Sequence, residues 1–281
     1  MITWKKWLDW AFLQLKNSLS PRRDSEIILE IVTKKSREQL LTFEETTLTP
    51  EQIKKLQSLI DRRKKSEPIA YLVGSKEFWS LSFKISPGVF IPRTDTECLI
   101  EEVLNLIPDC NHLKVLDLGS GVGSIALALA SERPTWNITG IDQQQQAVIL
   151  AIKNQKSYKF RNVEFKQSNW FTKIKKNKFH LIVSNPPYIN EHDLHFLSQD
   201  IHFEPKSALV SPYYGLKDLI IICKQSINHL YPMGWLCLEH GWNQGKYIRT
   251  LLHAIGFNNI HTILDYHQYE RITCGQWKYY S

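Results

Sequence analysis

The chain has 281 residues, 43% of them hydrophobic and 22% charged, which suits a folded protein with one large α/β domain and a smaller companion. It shows no low-complexity tract, fixed-period repeat or C-x-x-C pair, and its longest apolar stretches, at 125–130 and 219–223, fall far short of the roughly 20 residues that cross a bilayer. Disorder, a solenoid, a membrane span and a cysteine-rich zinc module therefore have no support, and the net charge of +7 leaves a nucleic-acid partner to be weighed. Five scattered cysteines, Cys98, Cys110, Cys223, Cys237 and Cys274, fit reduced thiols and a cytoplasmic setting.

The first segment, MITWKKWLDWAFLQLKNS, has Asp9 and Gln14 where an export signal would be apolar, while Trp4, Trp7, Leu8, Ala11 and Leu15 keep helical spacing. It reads as an amphipathic helix. PRRDSEIILEIVT follows Ser20, with Ile27, Ile28, Ile31 and Val32 on one face and Asp24 and Glu26 near the positive end of the helix dipole. TPEQIKKLQSLIDRRKK uses Thr49 as N-cap and Pro50 at the first helical position. Residues 1–75 are thus expected to form a small helical bundle. That segment carries 14 Lys and Arg against 10 Asp and Glu, or +4, leaving 21 against 18, or +3, for the rest. Its runs at Arg22–Arg23 and Arg62–Lys65 face either phosphates or plain solvent.

Over 76–92 the period shortens. Phe78, Phe83, Ile85, Val89 and Phe90 alternate loosely with polar residues and Pro87-Gly88 marks a turn, as in a β-hairpin linker between two domains. From 93 to 281, strands and helices alternate: KVLDLG, WNITGID, NVEFKQS, FHLIVSN, GWLCLEHG, NIHTILDY and RITCGQWKYY are the seven strands. The alternation predicts an α/β domain with a doubly wound, largely parallel sheet, which binds ligands beyond the carboxyl ends of its strands.

Two motifs sit at such ends. LDLGSGVGS places Gly119, Ser120, Gly121, Val122 and Gly123 between a strand and a helix, with Ser124 where a dinucleotide fingerprint would have its third glycine. The G-x-G-x-G spacing suits close approach of a nucleoside with an amino-acid tail. Asp142 ends the next strand, 23 residues past Gly119, where a carboxylate can accept from two ribose hydroxyls. Asp117 has two roles open to it, ordering the loop or facing a cationic group. The second motif is Asn185-Pro186-Pro187-Tyr188. Two prolines hold the chain extended and leave carbonyls free; with the Asn185 side-chain carbonyl they form a pair of acceptors matched to a planar NH₂, against which Tyr188 can stack. An amide or arylamine nitrogen is a poor nucleophile, so acceptors that fit its pyramidal form better than its flat one lower the barrier to methyl transfer.

SPRRDSEIILE, GSKEFWSL, FIPRTDTE, VLDLGSGVGSIALALASERP, IVSNPPYI and LEHGWNQG together resemble the PrmC/HemK family, which methylates a glutamine side-chain nitrogen in peptide-chain release factors. The resemblance covers nearly the whole chain. It implies a Rossmann-like, seven-stranded class I methyltransferase domain preceded by the helical bundle, with S-adenosyl-L-methionine bordered by Gly119 to Gly123, Asp142, Trp170 and Asn185. It also implies that Asn185, Pro186, Pro187 and Tyr188 hold the glutamine of the Gly-Gly-Gln loop of class-1 release factors, gripped with help from residues 1–75, without sequence-specific nucleic-acid binding. Two positions depart from the family's pattern: Thr94 stands where Pro is usual, and Asn169 where an acid commonly precedes the Trp. Thr94 is expected to reduce backbone rigidity near Arg93, and Asn169 to weaken cofactor affinity at most, because a charged acceptor is the stronger one.

An adenine-N6 DNA methyltransferase is the nearest rival, since a flipped adenine presents the same NH₂. Against it, the stretch after Tyr188 is used up by core strands and helices and leaves no target-recognition region. A ribosome- or RNA-associated protein without turnover also suits the charge, but not the intact Asn185. His192, His195 and His202 are expected at the mouth of the pocket, and no metal is expected. Glu239-His240 at a strand end is a possible proton acceptor that the sequence does not decide.

Overall fold

The computed structural model describes residues 1–108, 112–175 and 177–278; Cys110, and the Tyr279 and Tyr280 assigned above to the last strand, lie outside them. The chain divides into two compact units, 1–75 with 198–203, and 76–197 with 204–281.

In the first unit, α1 (Trp4–Gln14), α2 (Pro21–Thr33), α3 (Arg37–Thr42), α4 (Pro50–Lys64) and α5 (Ile69–Val73) enclose a core of Trp4, Trp7, Ala11, Ile28, Leu29 and Leu56, among others. Thr49 and Ser36 cap α4 and α3 in reciprocal boxes with Gln52 and Gln39, which satisfies backbone donors that a helix start leaves open. The buried face of α2 agrees with the expected one at Ile28 and, through its packing on the core, at Val32, but is shifted toward the helix start. It runs through Asp24, Ser25, Ile28 and Leu29, whereas Ile27 and Ile31 are only half-buried. An ion pair lies on that face: Arg63 Nε donates to Asp24 Oδ2 at 2.7 Å, with both side chains nearly inaccessible, and Ser18 Oγ donates to the same oxygen at 2.6 Å. Arg62 pairs with Glu67, Arg23 with Glu30 and Arg37 with Glu26. Several arginines of this unit are thus paired within it. Removing one partner of a buried pair strands the other charge, so Arg63→Ala is expected to destabilise this unit by about 3–5 kcal/mol, measurable as a lowered urea midpoint.

The second unit opens with a hairpin, β1 (Ser75–Phe78) and β2 (Leu81–Lys84). Its turn is Trp79-Ser80, both with positive φ, and not Pro87-Gly88, which makes a separate turn further on. Lys84 N–H donates to Asn154 Oδ1 at 2.8 Å, and the same buried amide donates to the Val122 carbonyl at 3.0 Å. The hairpin is thus fastened to the glycine loop of its own unit.

The remaining elements are α6 (Glu97–Leu106), β3 (Lys114–Leu118), α7 (Ser124–Glu132), β4 (Asn137–Asp142), α8 (Gln145–Tyr158), β5 (Val163–Gln167), β6 (Phe179–Ser184), α9 (Lys206–Leu209), α10 (Lys217–Ser226), β7 (Leu230–Glu239), α11 (Gly245–Ala254), β8 (Phe257–Leu264) and β9 (Glu270–Trp277). The seven strands of the main sheet run in the order β5-β4-β3-β6-β7-β9-β8, with parallel pairing as far as β7 and antiparallel pairing of β9 with both β7 and β8. Strands covered on both faces read as apolar runs, and Leu116, Leu118, Ile182, Leu236 and Leu238 lie in one core with Leu219, Ile222 and Leu252 from α10 and α11. Winding reverses between β3 and β6, so the crevice of the sheet opens beyond their carboxyl ends. Gly119 and Asn185 stand there. Among the described residues no helix is long and apolar enough to cross a membrane.

Candidate active site

At that crevice lies a cleft. Gly119, Ser120, Gly121, Val122, Asp142, Trp170, Asn185 and Pro187 line it, as do Phe90, Pro92, Thr96, Asn169 and Ser207. Gly123, Pro186 and Tyr188 are not on its wall, and neither are His192, His195 and His202, which lie in or beside short 3₁₀ turns.

The glycine loop is left-handed at each of its three glycines, and Gly123 shows why. With φ at +88° it starts α7, and a Cβ there would sit 2.8 Å from the Phe165 ring. Asp142 closes the loop from β4: Gly121 N–H donates to Oδ2 at 2.9 Å and Gln144 N–H to Oδ1 at 2.8 Å. Burial raises its pKa, while the two N–H groups work against that rise by favouring the carboxylate. Asp117 takes the first of its two roles, accepting from Ala126 N–H at 3.1 Å and so tying α7 to β3. Its Oδ1 and the Ser120 Oγ are buried without a hydrogen-bond partner, and burial pushes the Asp117 carboxyl up to about 7. Unpaired buried polar atoms beside a glycine loop are what a polar ligand would satisfy. The Trp170 ring lies against Gly119, held by a 3.1 Å hydrogen bond from its Nε1 to Asp218 Oδ1.

From the Asn185-Pro186-Pro187-Tyr188 turn, Asn185 and Pro187 line the cleft while Pro186 and Tyr188 stand behind them. Asn185 Nδ2 donates to Thr96 Oγ1 at 3.0 Å, Thr96 Oγ1 donates to Glu239 Oε2 at 2.7 Å, and the Tyr188 hydroxyl donates to Glu239 Oε1 at 3.2 Å. Neither Asn185 Oδ1 nor the Pro186 carbonyl accepts a hydrogen bond among the described residues. The Tyr188 ring packs against the sheet core, and burial pushes its phenol pKa up, so it stays a neutral donor. Glu239 is the part of the Glu239-His240 pair that reaches the site. His240 uses both ring nitrogens, on the Gly241 carbonyl and Thr273 Oγ1, and burial lowers its pKa to about 4, which keeps the ring neutral.

Thr96 and Glu204, which sequence motifs did not single out, and Glu239, named there only as a possible proton acceptor, brace this side of the cleft. Glu204 Oε2 accepts from Ile91 N–H at 2.9 Å and its other oxygen pairs with Arg93, whose guanidinium lies 4.9 Å from the Phe90 ring centre. That carboxylate fixes the Phe90–Pro92 side of the cleft. Only the IPR triplet, with an arginine that requires a partner, hinted at it. One grouping of potential metal ligands, Glu102, His261 and Cys274, contributes nothing to the cleft, and His261 Nε2 already pairs with Glu102 at 2.8 Å.

A glycine-loop cleft at the switch point of a β5-β4-β3-β6-β7-β9-β8 sheet defines a class I methyltransferase fold. A methyltransferase from Pyrococcus furiosus shares it, with a TM-score of 0.56 over 79% of this chain and 98% of that one at 16% identity. So does the Thermus thermophilus 16S rRNA N2 G1207 methyltransferase, solved with AdoMet and guanosine, with a TM-score of 0.52 over 73% of this chain and 50% of that one at 18% identity. Residues 6–74 match the PrmC N-terminal domain and 80–211 the methyltransferase small domain. The release factor glutamine methyltransferase of Salmonella typhimurium is 48% identical over 96% of this chain and 98% of its own length, and that of Escherichia coli K12 is 46% identical over 98% and 99%. The chain belongs to the release factor glutamine methyltransferase family.

Proposed function

We propose that the protein transfers a methyl group from S-adenosyl-L-methionine to the side-chain amide nitrogen of the Gly-Gly-Gln glutamine in class-1 release factors. The observation that carries this reading is the unoccupied acceptor Asn185 Oδ1 on the wall of a glycine-loop cleft, in a chain similar over 96–98% of its length to release factor glutamine methyltransferases. Residues Gly119 to Gly123, with Asp142 and Trp170, would hold the nucleoside and its amino-acid tail, and the Asn169 amide supplies a neutral acceptor where the family usually has an acid. When bound, S-adenosyl-L-methionine supplies an electrophilic methyl on a sulfonium.

The chain's own contribution is positional. Asn185 Oδ1 and the Pro186 carbonyl accept the two amide hydrogens and draw the nitrogen toward a pyramidal shape in which its lone pair is free to attack. Tyr188 keeps the turn in place through Glu239. Residues 1–75 suit recognition of a protein partner better than of nucleic acid, because so many of their arginines are paired internally. Four described cysteines are buried free thiols, which supports a reducing, cytoplasmic compartment.

The Tyr188 backbone is held from an unexpected direction. Gln244 Nε2 donates to its carbonyl at 3.0 Å and to that of Tyr214 at 3.2 Å, and Gly215 lies so near that an added Cβ would be 1.9 Å from the same oxygen. Since φ at Gly215 is +81°, Gly215→Ala adds strain as well as a clash with backbone. It is expected to lower kcat by about 10- to 100-fold with cofactor affinity unchanged, as steady-state kinetics and calorimetry would show.

Incubation with labelled S-adenosylmethionine and, separately, a class-1 release factor and duplex DNA decides between the glutamine and adenine readings. One added methyl, localised by peptide mass spectrometry to the Gly-Gly-Gln glutamine, is the expected result. Label on DNA with none on the factor would overturn it.

A further inference from the structure

We infer that Thr96 and Glu239 are positioning residues that fix which end of the Asn185 amide faces the substrate, an inference resting on the glutamine-methylating reading above. An asparagine side chain has nearly the same shape when turned by a half rotation, but only its carbonyl end can accept from an NH₂. Turned the other way it would set donor against donor. Thr96 alone cannot choose, because a hydroxyl both donates and accepts. Glu239 makes the choice: the single Thr96 hydroxyl proton goes to Oε2 at 2.7 Å, so Oγ1 is left only to accept, which it does from Asn185 Nδ2 at 3.0 Å. The Tyr188 hydroxyl takes the other carboxylate oxygen. Both ends of the Asn185–Tyr188 turn are therefore referred to one carboxylate.

Burial makes this direction firm. Thr96 is 3% and Glu239 1% exposed, so water does not replace either partner. Around Glu239 stand Thr96, Tyr188, Arg271 of β9 and Asp95 of the 3₁₀ turn before α6; Arg271 favours the charged carboxylate and Asp95 disfavours it. Burial is the larger influence and pushes Glu239 up to about 7. Above that pH the carboxylate accepts from Thr96 and the Asn185 carbonyl faces the cleft. Below it, the acquired O–H donates to Thr96, whose own proton is released toward Asn185 Oδ1, and the amide is favoured in its inverted orientation. The sign is an acid limb: activity falls as pH drops through about 7.

The test uses the full chain with a release factor. Thr96→Val is expected to lower kcat about tenfold or more while cofactor affinity holds, Thr96→Ser to restore it, and Glu239→Gln, which cannot change charge, to flatten the acid limb. Equal kcat in Thr96→Val and wild type, or an acid limb that persists in Glu239→Gln, would overturn the proposal. A second measurement needs no turnover. The Asn185 side-chain NH₂ signals in ¹⁵N-labelled protein, identified by their loss in Asn185→Ala, should follow one titration in wild type and none in Glu239→Gln. Signals insensitive to pH in wild type would sink the relay even if Thr96→Val fails to fold. Should no release factor be methylated, the functional reading fails while this titration still decides the relay.

Discussion

Asn185→Ala is expected to lower kcat for glutamine methylation by about 10²–10³-fold, the size of effect seen when one preorganised polar group is removed from a reacting centre. Cofactor affinity should hold, because the glycine loop and Asp142 lie on β3 and β4, across the crevice from Asn185. Nothing else replaces the lost acceptor: the Thr96 hydroxyl that held the amide is already committed to Glu239, and the Pro186 carbonyl can engage only one of two hydrogens. Since the interaction strengthens as the nitrogen becomes pyramidal, the loss should fall on kcat and leave KM for the release factor little changed. Single-turnover rates beside calorimetric S-adenosylmethionine binding would check both halves. Unchanged turnover would remove the side-chain carbonyl from the mechanism.

Asp142→Ala should do the reverse, weakening S-adenosylmethionine binding by about 10²-fold or more, because hydrogen bonds to a charged group are worth roughly 1.5–3 kcal/mol each. The carboxylate has two tasks. Besides facing the cleft, it takes the Gly121 and Gln144 N–H groups, so its removal frees the loop that shapes the nucleoside site. Asp142→Asn would keep an acceptor but set an NH₂ against one of those N–H groups, and is expected to be only partly better. Isothermal titration separates the cases, and saturating cofactor should return kcat toward wild type in both. An affinity within error of wild type would show that the ribose is bound elsewhere.

What the sequence made legible were features whose cause is local. A glycine loop between a strand and a helix, an acid at the next strand end and two prolines after an apolar run each fix backbone within a few residues, and the structure brings Gly119, Asp142, Trp170 and Asn185 to one cleft. Contacts distant along the chain were not legible. Thr96 and Glu239 are separated by 143 residues, and Gly215 reaches Tyr188 only because Gln244 gathers two loops. Two local inferences also went astray for physical reasons. Periodicity put Ile27, Ile28, Ile31 and Val32 on the buried face of α2; Ile28 is buried and Val32 packs on the bundle core, but Asp24, paired with Arg63, is buried too, and a charge pair inside the bundle leaves no mark in a hydrophobic pattern. Pro87-Gly88 is the stronger turn signal, yet the hairpin closes at Trp79-Ser80. There Trp79 N–H donates to Glu97 and its indole to Glu132, tertiary bonds that offset the cost of a left-handed tryptophan. The three loop histidines, expected at the pocket mouth, line none of it.

The segment 198–203 belongs to the helical unit although Leu197 and Glu204 on either side belong to the other, and Ser66 Oγ meets Gln199 Oε1 at 3.0 Å. For protein engineering this means that the boundary near residue 75 is not a clean seam. A chimera that exchanges residues 1–75 between relatives leaves a piece of the old bundle stitched into the recipient, and a fragment starting at 76 carries six residues evolved for a neighbour that it no longer has. Successful grafts would have to move both pieces together.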